Sequence, residues 1–566
     1  MRKTYNLVEL FSGIGSQAKA LKNLGVNVNV LGTSEWDVHA IAAYDVIHNS
    51  PEIPPEIEGM NKDQLLDILK NYTFSNSGKA PLDYSSFRTY SVEALRRIYT
   101  SLVRNRNFVD ISRLHGVSLP DNIDILTYSF PCQDLSNVGA FHGYKKGIDK
   151  NSGSRSSLLW QVGRILMEMK EAGKNLPRFL LMENVPALLA KRHFQNFTTW
   201  ISELEDLGYV SHYYQLNASS FGLPQNRPRL LMISVYVGDC IDDWNTVSEY
   251  FRKKSNPEDI IRDFRSSGYF VQYSVQELLR TNYSNRKIFE EAVESTPNDT
   301  ESRRKIWIDN PQIILPDGTF NPAIDAIRTI TTKQDRNPNS GNLFFDSGIE
   351  GRSKFRYLTP RECLLFMGFT DEDYRKLKYN NVEFHKGDAL FARDKIIRLA
   401  GNSIPVKLLE GIFYQILQID EMLSRHPNQN RMSATIFSPA SDYSEMIRSY
   451  VFRNGIRSRI NDENYPHNAT IVYPKYKTAI YVGGYECQSD TSESLCEQPY
   501  WRKYSDQVIS NARQYCSQAL EMGWNAIFIR KSELDGSEKY EILSWIVDCL
   551  KSLENSDQKG RMICYG

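Results

Sequence analysis

Hydrophobic and polar residues alternate in blocks along the first fifty positions, and each block has the length of a strand or a helix. Residues 6–11 (NLVELF) predict a buried strand, and SGIGSQAKALKNLG predicts a glycine turn followed by a helix that ends at Gly25. VNVNVLG then predicts a second strand, and EWDVHAIAAYDVIH a second helix. Strands that alternate with helices in this way indicate an α/β sheet whose strands are mostly parallel.

The same pattern recurs farther along the chain. Apolar runs predict three more strands, NIDILTYSF, RFLLMEN and RLLMISVYV. Further regular elements are predicted at SSLLWQVGRILMEMKEAG, AIRTITT, LTPRECLLFMGF and the helix PVKLLEGIFYQILQIDEML. Together these blocks predict one α/β domain built from residues 1–237 and 328–424.

Four regions depart from this pattern. Residues 50–107 contain Pro- and Asn-rich turns and predict an insertion, whereas residues 238–327 are polar, aromatic and irregular. The polar stretch around 425–433 has no period and predicts a linker. Residues 434–566 predict a separate small α/β domain.

The composition is typical of a soluble globular protein, with 41% hydrophobic and 24% charged residues, and 566 residues predict two to four domains. No run of 18 apolar residues and no signal-peptide core is present, so we expect a cytosolic protein without a membrane span, or a nuclear one if the source has a nucleus. Basic and acidic residues both number 68, so net charge gives no sign of nucleic acid. The eight cysteines form no CxxC pair, so we expect reduced thiols and no metal site.

The turn after the first strand is the first candidate for chemistry. Gly13 and Gly15 lie between a strand and a helix, where glycine lets the backbone turn tightly and approach a ligand. Glu35 follows at the end of the next strand, where a carboxylate accepts hydrogen bonds from ribose hydroxyls. Ala18 replaces the third glycine of a dinucleotide motif, so a nucleoside cofactor such as S-adenosylmethionine fits better than NAD. A plain strand–turn–helix gives the same local pattern.

Two more predicted strands end in reactive side chains. NIDILTYSF stops at Pro131, and the thiol of Cys132 is then held at a strand end, either as a small buried hydrophobe or as a functional group. Glu183 closes RFLLMEN and is either a helix N-cap before Pro186 or a carboxylate in a ligand crevice. Because the carboxyl ends of parallel strands line one crevice, we expect Cys132 and Glu183 to share it.

Two arginines and a helix start complete the candidates. Arg227 and Arg229 alternate, so on an extended chain they share a face that suits a phosphate or a base edge; the alternative is a solvated surface pair. AGNSIPV is predicted to open a helix, where Asn402 and Ser403 either cap it and present backbone N–H groups to a ligand or simply cap it.

These stretches form an ordered set of seven motifs: ELFSGIGS, EW, SFPCQDLS, ENV, QNRPR, RTIT and GNSIPV. The set closely resembles the C5-cytosine DNA methyltransferase family, over residues 5–424 apart from the insertion and the irregular region. No single motif is decisive, but seven in the same order are not expected by chance. The resemblance implies a Rossmann-like S-adenosylmethionine-dependent methyltransferase domain, with a small target-recognition domain at 238–327, that acts on double-stranded DNA.

The resemblance also implies a role for each residue. Cys132 attacks C6 of a flipped cytosine, so that C5 becomes enamine-like and takes the methyl group of S-adenosylmethionine, leaving S-adenosylhomocysteine. Glu183 holds N3 and N4 of the base and feeds a proton toward N3, while Arg229, with Arg227, steadies O2. Gln133 begins the loop that closes over the DNA. The implied cofactor contacts are Phe11, Gly13, Ile14, Gly15, Glu35, Trp36, Asp110, Asn402 and Ser403.

The target and the biological role stay open at this point. The stretches SQAKALKNLG and TYSFPCQDLS are similar to prokaryotic enzymes that methylate CG. They imply CG as a candidate target. We also expect a cytoplasmic prokaryotic enzyme that acts as a monomer on DNA, with a cognate restriction enzyme as a candidate partner. The alternatives are an RNA cytosine-5 methyltransferase on the same fold, a non-catalytic DNA-binding protein, and a bifunctional methylase with a mismatch-nicking C-terminal domain.

The C-terminal part has a resemblance of its own. TIVYPKYKTAIYVGGYECQ and LEMGWNAIFIRKSEL are similar to the very-short-patch mismatch endonuclease family, whose fold resembles restriction enzymes. The family's metal-binding Asp corresponds here to Thr470, and its histidines to Gly483 and Gln488. Because a nuclease needs oxygen ligands for Mg²⁺, we expect an inactive, metal-free domain, with an unrelated α/β domain as the alternative.

Overall fold

The computed structural model describes residues 3–131, 158–238, 240–334 and 340–425 and, of the C-terminal part, 443–454, 456, 466, 469–483, 516–530, 534, 539–553 and 560–564. The chain divides into two compact units. The first comprises Met1–Asn196, Ser211–Tyr236 and Val247–Arg425, and the second Phe197–Val210, Val237–Thr246 and His426–Gly566. Within the described ranges, no helix has both the length and the apolar character needed to cross a membrane.

A six-stranded sheet is the centre of the first unit. The strands up to residue 236 are β1 Thr4–Leu10, β2 Asn27–Ser34, β3 Ile125–Tyr128, β4 Phe179–Asn184, β5 Tyr209–Asn217, the short β6 Gln225–Asn226, and β7 Pro228–Tyr236. The order in the sheet is β2-β1-β3-β4-β7-β5. Neighbours from β2 to β4 are parallel, whereas β7 runs antiparallel to β4. The predicted, mostly parallel α/β sheet is therefore confirmed.

The central strands are apolar along almost their whole length. All four residues of β3 are buried, as are Phe179 to Met182 of β4. Such continuous apolar runs are typical of parallel strands that are buried on both faces.

The helices of the chain up to Arg425 are α1 Ser16–Asn23, α2 Val38–His48, α3 Pro55–Glu58, α4 Lys62–Leu69, α5 Tyr84–Phe87, α6 Val92–Arg104, α7 Leu159–Glu171, α8 Lys191–Asp206, α9 Ile241–Lys253, α10 Pro257–Ser266, α11 Val275–Leu278, α12 Arg286–Glu294, α13 Glu301–Asp309, α14 Pro360–Phe366, α15 Asp371–Tyr379, α16 Arg393–Asn402 and α17 Val406–Arg425.

The stretch predicted as an insertion, residues 50–107, forms α3 to α6. Helix α6 packs against α2, where the hydroxyl of Ser101 donates to the carbonyl of Ile41 at 2.6 Å. Beyond α6, Asn107 forms a parallel bridge with Thr33. The insertion thus returns the chain to the carboxyl end of β2.

The region 238–327 has two parts. Helices α9 and α10 pack against α17: the Tyr250 hydroxyl donates to Gln415 at 2.6 Å, and the rings of Phe264 and Tyr414 lie 6.2 Å apart. The later part contributes to smaller sheets. The remaining strands of the first unit are β8 Gln312–Ile314, β9 Ile327–Arg328, β10 Asn342–Phe344, β11 Phe355–Arg356, β12 Glu383–His385 and β13 Asp388–Ala389, of which β11, β10 and β8 form one sheet in that order.

The second unit has a four-stranded sheet in the order β14-β15-β16-β17. Its elements are α18 Tyr443–Arg453, β14 Ile471–Tyr473, β15 Thr478–Gly483, α19 Ser517–Glu521, β16 Asn525–Arg530, α20 Lys539–Leu553 and β17 Met562–Cys564. The first two strands are antiparallel and the others parallel.

The second unit also holds segments that precede the predicted boundary at residue 434. Lys475 forms an ion pair with Asp206 at 3.1 Å, and the Arg448 guanidinium lies 4.4 Å from the ring centre of Trp244. Residues 197–210 and 237–246 therefore join the C-terminal part in one compact unit. The predicted linker, from residue 426 onward, lies outside the described residues.

Candidate active site

The carboxyl ends of β1, β3 and β4 lie level with one another. Leu10, Tyr128 and Met182 are partners in the sheet register. One residue beyond, the Ser129 hydroxyl donates to the carbonyl of Phe11 at 3.4 Å. Residues that follow these three strands therefore share one edge of the sheet, which is where open α/β sheets bind ligands.

Asn184 connects two of these strand ends. Its side chain is 1% exposed, and its Nδ2 donates to the carbonyl of Phe130 at 3.0 Å. This bond holds the backbone just before Pro131, which is the last described residue before the predicted nucleophile. Cys132 and Gln133 themselves lie outside the described residues.

Glu183 and Arg229 form an ion pair at this edge. Glu183 pairs with Leu231 in the antiparallel ladder, so Arg229, two residues earlier in β7, is its diagonal neighbour on the same face of the sheet. Arg229 Nε lies 2.8 Å from Glu183 Oε1, and both side chains are 12% exposed. Burial raises the pKa of the Glu183 carboxyl, and the charges of Arg229 and Arg227 oppose that rise. Burial therefore favours the protonated form of this carboxyl, and the two arginines favour the ionised form.

Arg227 has different surroundings from those that the alternating pattern predicted. Its guanidinium is buried and donates to the carbonyls of Ile330, Gly401 and Ser403, each at 2.8 Å. Arg229 is instead directed to Glu183. The two arginines therefore do not act on one face, because Arg227 joins two distant loops in the interior.

Two residues that the sequence did not single out support this junction. Gln225 is buried, donates to the carbonyl of Phe366 at 2.8 Å and accepts from the amide of Ile330 at 3.0 Å. A Cβ on Gly401 would lie 2.6 Å from the backbone of Thr331, so only glycine fits there. Both residues stand inside recognised motifs, yet no local spacing indicates their partners.

The glycine turn after β1 has one open and one closed side. Gly13 has φ +53°, and a Cβ there would meet no atom within 4 Å, which leaves room for a ligand. Gly15 has φ +77°, and a Cβ there would lie 2.7 Å from atoms of Tyr44 and His48. The turn therefore needs glycine at both positions, but for different reasons.

Glu35 is tied to this turn by backbone amides. Its carboxylate accepts from the N–H groups of Gly13 at 3.0 Å and of Trp36 and Asp37 at 2.9 Å. Burial, and then the charge of Asp37, raise the pKa of Glu35 to about 7, against those hydrogen bonds. A carboxylate has about four acceptor positions, so one stays available for a ribose hydroxyl. These residues, with the open side of Gly13, fit a nucleoside cofactor.

The remaining residues predicted to bind the cofactor lie around this turn. Phe11 directly follows β1 and has φ +58°, Ile14 is 2% exposed, and Trp36 is half-buried beside Glu35. Asp110 follows Val109, a β-branched residue at φ +62°.

Asn107 and Ser34 place the strained backbone at Val109. The amides of Glu35 and Val109 both donate to Asn107 Oδ1, at 3.1 and 2.8 Å, and the hydroxyl of Ser34 donates to the Val109 carbonyl at 3.1 Å. This network holds Asp110 near Glu35 despite the insertion between them.

The stretch AGNSIPV leads into a helix as predicted, since α17 begins at Val406, but the expectation that Asn402 and Ser403 cap the start of that helix was wrong. Asn402 ends α16, and Ser403 is its C-terminal cap, with the hydroxyl donating to the carbonyl of Leu399 at 2.7 Å. The apolar positions Ile396, Ile397 and Leu399 continue a helical period up to this point, so the stretch closes one helix before α17 begins. Asn402 is exposed.

In the second unit, the position of Thr470 has a neutral side chain. The Thr470 hydroxyl accepts from the amide of Val482 at 2.9 Å, at the point where β14 and β15 meet. Gly483 ends β15, and Gln488 lies outside the described residues. Across the described parts of the chain, no group of three or more His, Cys, Asp or Glu residues could hold a metal ion.

A mostly parallel sheet with a glycine turn after β1, an acid after β2 and an ion pair at the end of β4 is the arrangement of a Rossmann-like α/β enzyme domain. The family model for the C-5 cytosine-specific DNA methylases matches residues 87–418. The chain belongs to this family, and the resemblance drawn from the seven motifs is confirmed. The protein is a DNA (cytosine-5) methyltransferase, and its family uses S-adenosylmethionine.

Two relatives of known sequence support the assignment. The chain is 30% identical to the orphan methyltransferase M.SssI of Spiroplasma monobiae over 73% of this chain and 97% of that protein. It is 31% identical to the type II methyltransferase M2.ScrFI of Lactococcus lactis subsp. cremoris, over 72% and 98%. A crystal structure of the S. pombe Dnmt2 methyltransferase shares 16% identity over 74% of this chain and 99% of that one, with a TM-score of 0.41.

Proposed function

We propose that the enzyme methylates a cytosine that is flipped out of duplex DNA and held between Glu183 and Arg229, next to the thiol of Cys132. The main support is the Glu183–Arg229 ion pair at the edge where Asn184 holds the backbone before Pro131. A stacked base cannot be reached by a thiol from either face, so flipping is needed.

Each side chain has a defined task in this proposal. The thiolate of Cys132 forms a bond to C6, and the electron pair of the C5–C6 double bond moves into the ring as Glu183 delivers a proton to N3. Burial raises the pKa of Glu183, which favours the protonated form that this step needs. Arg229 holds Glu183 and the O2 atom of the base. C5 then accepts the methyl group, the C5 proton passes to solvent as the C6–S bond breaks and releases the thiolate of Cys132, and N3 returns its proton to Glu183, which restores the aromatic ring.

Arg227 has a positioning role in this proposal instead of the base contact that the motif implied. Its three bonds to carbonyls hold the RTIT segment and the turn at Ser403 in a fixed relation to Arg229. We assign Gln133 to the loop that closes over the DNA.

The cofactor site is proposed to be the glycine turn and its surroundings. Glu35 would bind the ribose, Trp36 the adenine face and Asp110 the adenine amine, while the remaining contacts come from Phe11, Gly13, Ile14, Gly15, Asn402 and Ser403. When bound, S-adenosylmethionine supplies an electrophilic methyl group. The open side of Gly13 and the free acceptor position of Glu35 support this assignment.

The proposed context is a prokaryotic cytoplasm, with the enzyme acting as a monomer on double-stranded DNA. Helices α9 and α10 pack against α17, so we place the base-reading surface in the later part of the predicted recognition segment, from residue 267.

CG is the proposed target, and a cognate restriction enzyme is the proposed partner. The C-terminal part is proposed to be an inactive endonuclease-like domain. Thr470 supports this proposal, because it stands where the nuclease family has a metal-binding Asp and its hydroxyl accepts a hydrogen bond from a backbone amide.

The test is base-conversion sequencing of DNA from a methylation-free host that expresses wild type or Cys132→Ala. Methylation at one short motif, absent with the variant, would establish the reaction, the nucleophile and the target. Competition between duplex DNA and tRNA separates the DNA substrate from the RNA alternative. Nicking of a T:G duplex with Mg²⁺, abolished by a substitution in the C-terminal part, would refute its proposed inactivity.

A further inference from the structure

Three side chains, of which two are buried and one is half-buried, lie against the proposed cofactor turn, and no step of the reaction uses them. His48, the last residue of α2, places its Nε2 2.9 Å from the carbonyl of Ile14. A carbonyl only accepts hydrogen bonds, so Nε2 carries the proton in this contact. The ring also occupies the space in which a Cβ of residue 15 would lie. His48 therefore restricts both the orientation of the Ile14 peptide and the conformation of Gly15.

Tyr44, one turn earlier in α2, continues the group. Its ring centre lies 4.7 Å from that of His48, and its hydroxyl donates to the carboxylate of Glu9. Glu9 also accepts from the backbone amide of Ala18 at 3.2 Å, in the first turn of α1. Strand β1, the turn and the start of α1 are thus connected through two side chains of α2.

Glu9 and Tyr44 lie in the interior, where each hydrogen bond has a large effect because water cannot replace it, and His48 is half-buried beside them. Glu9 is 0% exposed and Tyr44 is 3% exposed. Burial raises the pKa of Glu9 to about 7 and, with the charge of Lys22, lowers the pKa of His48 to about 3. The neutral imidazole is therefore the form that donates to Ile14 across the physiological range.

We propose that Glu9, Tyr44 and His48 are positioning residues that set the affinity of the enzyme for its nucleoside cofactor by holding the backbone of the glycine turn. The inference rests on the proposed cofactor site at this turn. None of the three residues needs to touch the cofactor. Their effect passes through the Ile14 carbonyl, the space beside Gly15 and the start of α1.

Isothermal titration of S-adenosylhomocysteine into the purified full chain tests this proposal without requiring turnover. We expect His48→Ala and Tyr44→Phe each to weaken binding about tenfold, the ratio that corresponds to one lost buried bond. His48→Gln keeps a donor near the position of Nε2 and should restore most of the affinity. With saturating cofactor, kcat and the KM for DNA should stay at wild-type values, while the KM for the cofactor rises.

Tyr5→Phe is the matched control. Tyr5 lies near the other end of β1, is buried, and donates its hydroxyl to the carboxylate of Asp420 at 2.6 Å. The Tyr5→Phe variant should lower the midpoint of thermal unfolding, as Tyr44→Phe does, but it should leave the affinity for the cofactor unchanged. Equal weakening by Tyr5→Phe, or unchanged affinity in both α2 variants, would overturn the inference. Absence of binding by the wild type would instead refute the proposed cofactor site itself.

Discussion

The strand ends of the two units differ in the chemistry of their side chains. In the first unit Glu183 is the next-to-last residue of β4 and is paired with Arg229 at 2.8 Å. In the second unit β14 follows Thr470, whose hydroxyl accepts a hydrogen bond from the amide of Val482. Both sheets mix parallel and antiparallel neighbours. The comparison teaches that a mixed sheet only provides positions for side chains at its strand ends. Whether a reaction takes place there depends on the ionisable side chains at those positions.

The largest expected difference between the two edges is catalytic. Glu183→Gln removes the proton that the mechanism delivers to N3, so kcat should fall by about 10²–10⁴-fold. Thr470→Ala should leave methylation unchanged. Single-turnover transfer of a labelled methyl group to duplex DNA measures both variants. A Glu183→Gln enzyme that keeps more than a tenth of the wild-type rate would contradict the assigned role.

The next comparison separates the two arginines of one motif. Arg227→Met leaves three interior carbonyls without their donor and should lower the free energy of unfolding by about 3 kcal/mol. Arg229→Met should change stability by only about 1 kcal/mol but reduce kcat by at least about 10²-fold. Urea unfolding of both variants measures the loss of stability, and their methylation rates measure the loss of catalysis. Equal stability losses would show that Arg227 is not the structural junction described above.

A smaller effect is expected from the titration of Glu35, whose pKa is raised to about 7 by burial and by Asp37. The ionised carboxylate accepts hydrogen bonds from ribose hydroxyls, and protonation removes that capacity. Affinity for S-adenosylhomocysteine should therefore be full above pH 7 and weaken as pH falls, by at most about tenfold per unit. Titration calorimetry at pH 8, 7 and 6 measures this dependence. Glu35→Gln should bind weakly with a flat profile, and a wild-type profile that is equally flat would contradict the role.

The smallest effect concerns the second unit. Thr470→Ala removes the acceptor of the Val482 amide and should cost about 1 kcal/mol in the stability of this unit, whereas Thr470→Ser should keep the bond. Scanning calorimetry of the full chain checks this difference. If Thr470→Ala abolished a T:G-nicking activity, the contrast between the two strand ends would fail.

The sheet was predictable because strands that are buried on both faces have continuous apolar sequences. The apolar runs that became β1, β3 and β4 were predicted from their composition, and the parallel order followed from the helices between them. The acids and glycines after these strands were predicted as well, since the ends of parallel strands meet at one edge. The motif order then led to the family, which the comparisons confirmed.

Contacts between distant loops were not predictable in this way. Arg227 alternates with Arg229 on paper, but its partners Ile330 and Gly401 lie 103 and 174 residues farther along the chain. Asn402 and Ser403 were expected to begin a helix, because the capping pattern of the sequence does not show which of two adjacent helices it belongs to.

The sequence by itself determined the strands, the helices and the kinds of side chain at their ends, since these depend on local periodicity and on backbone preferences of single residues. Only the tertiary structure decided that Asn184 holds the backbone before Pro131, that His48 lies against the glycine turn, and that Glu183 is paired while Arg227 is interior. These outcomes depend on which backbone carbonyls and charges folding brings within about 3 Å, and a hydrogen bond is stable only over that short range.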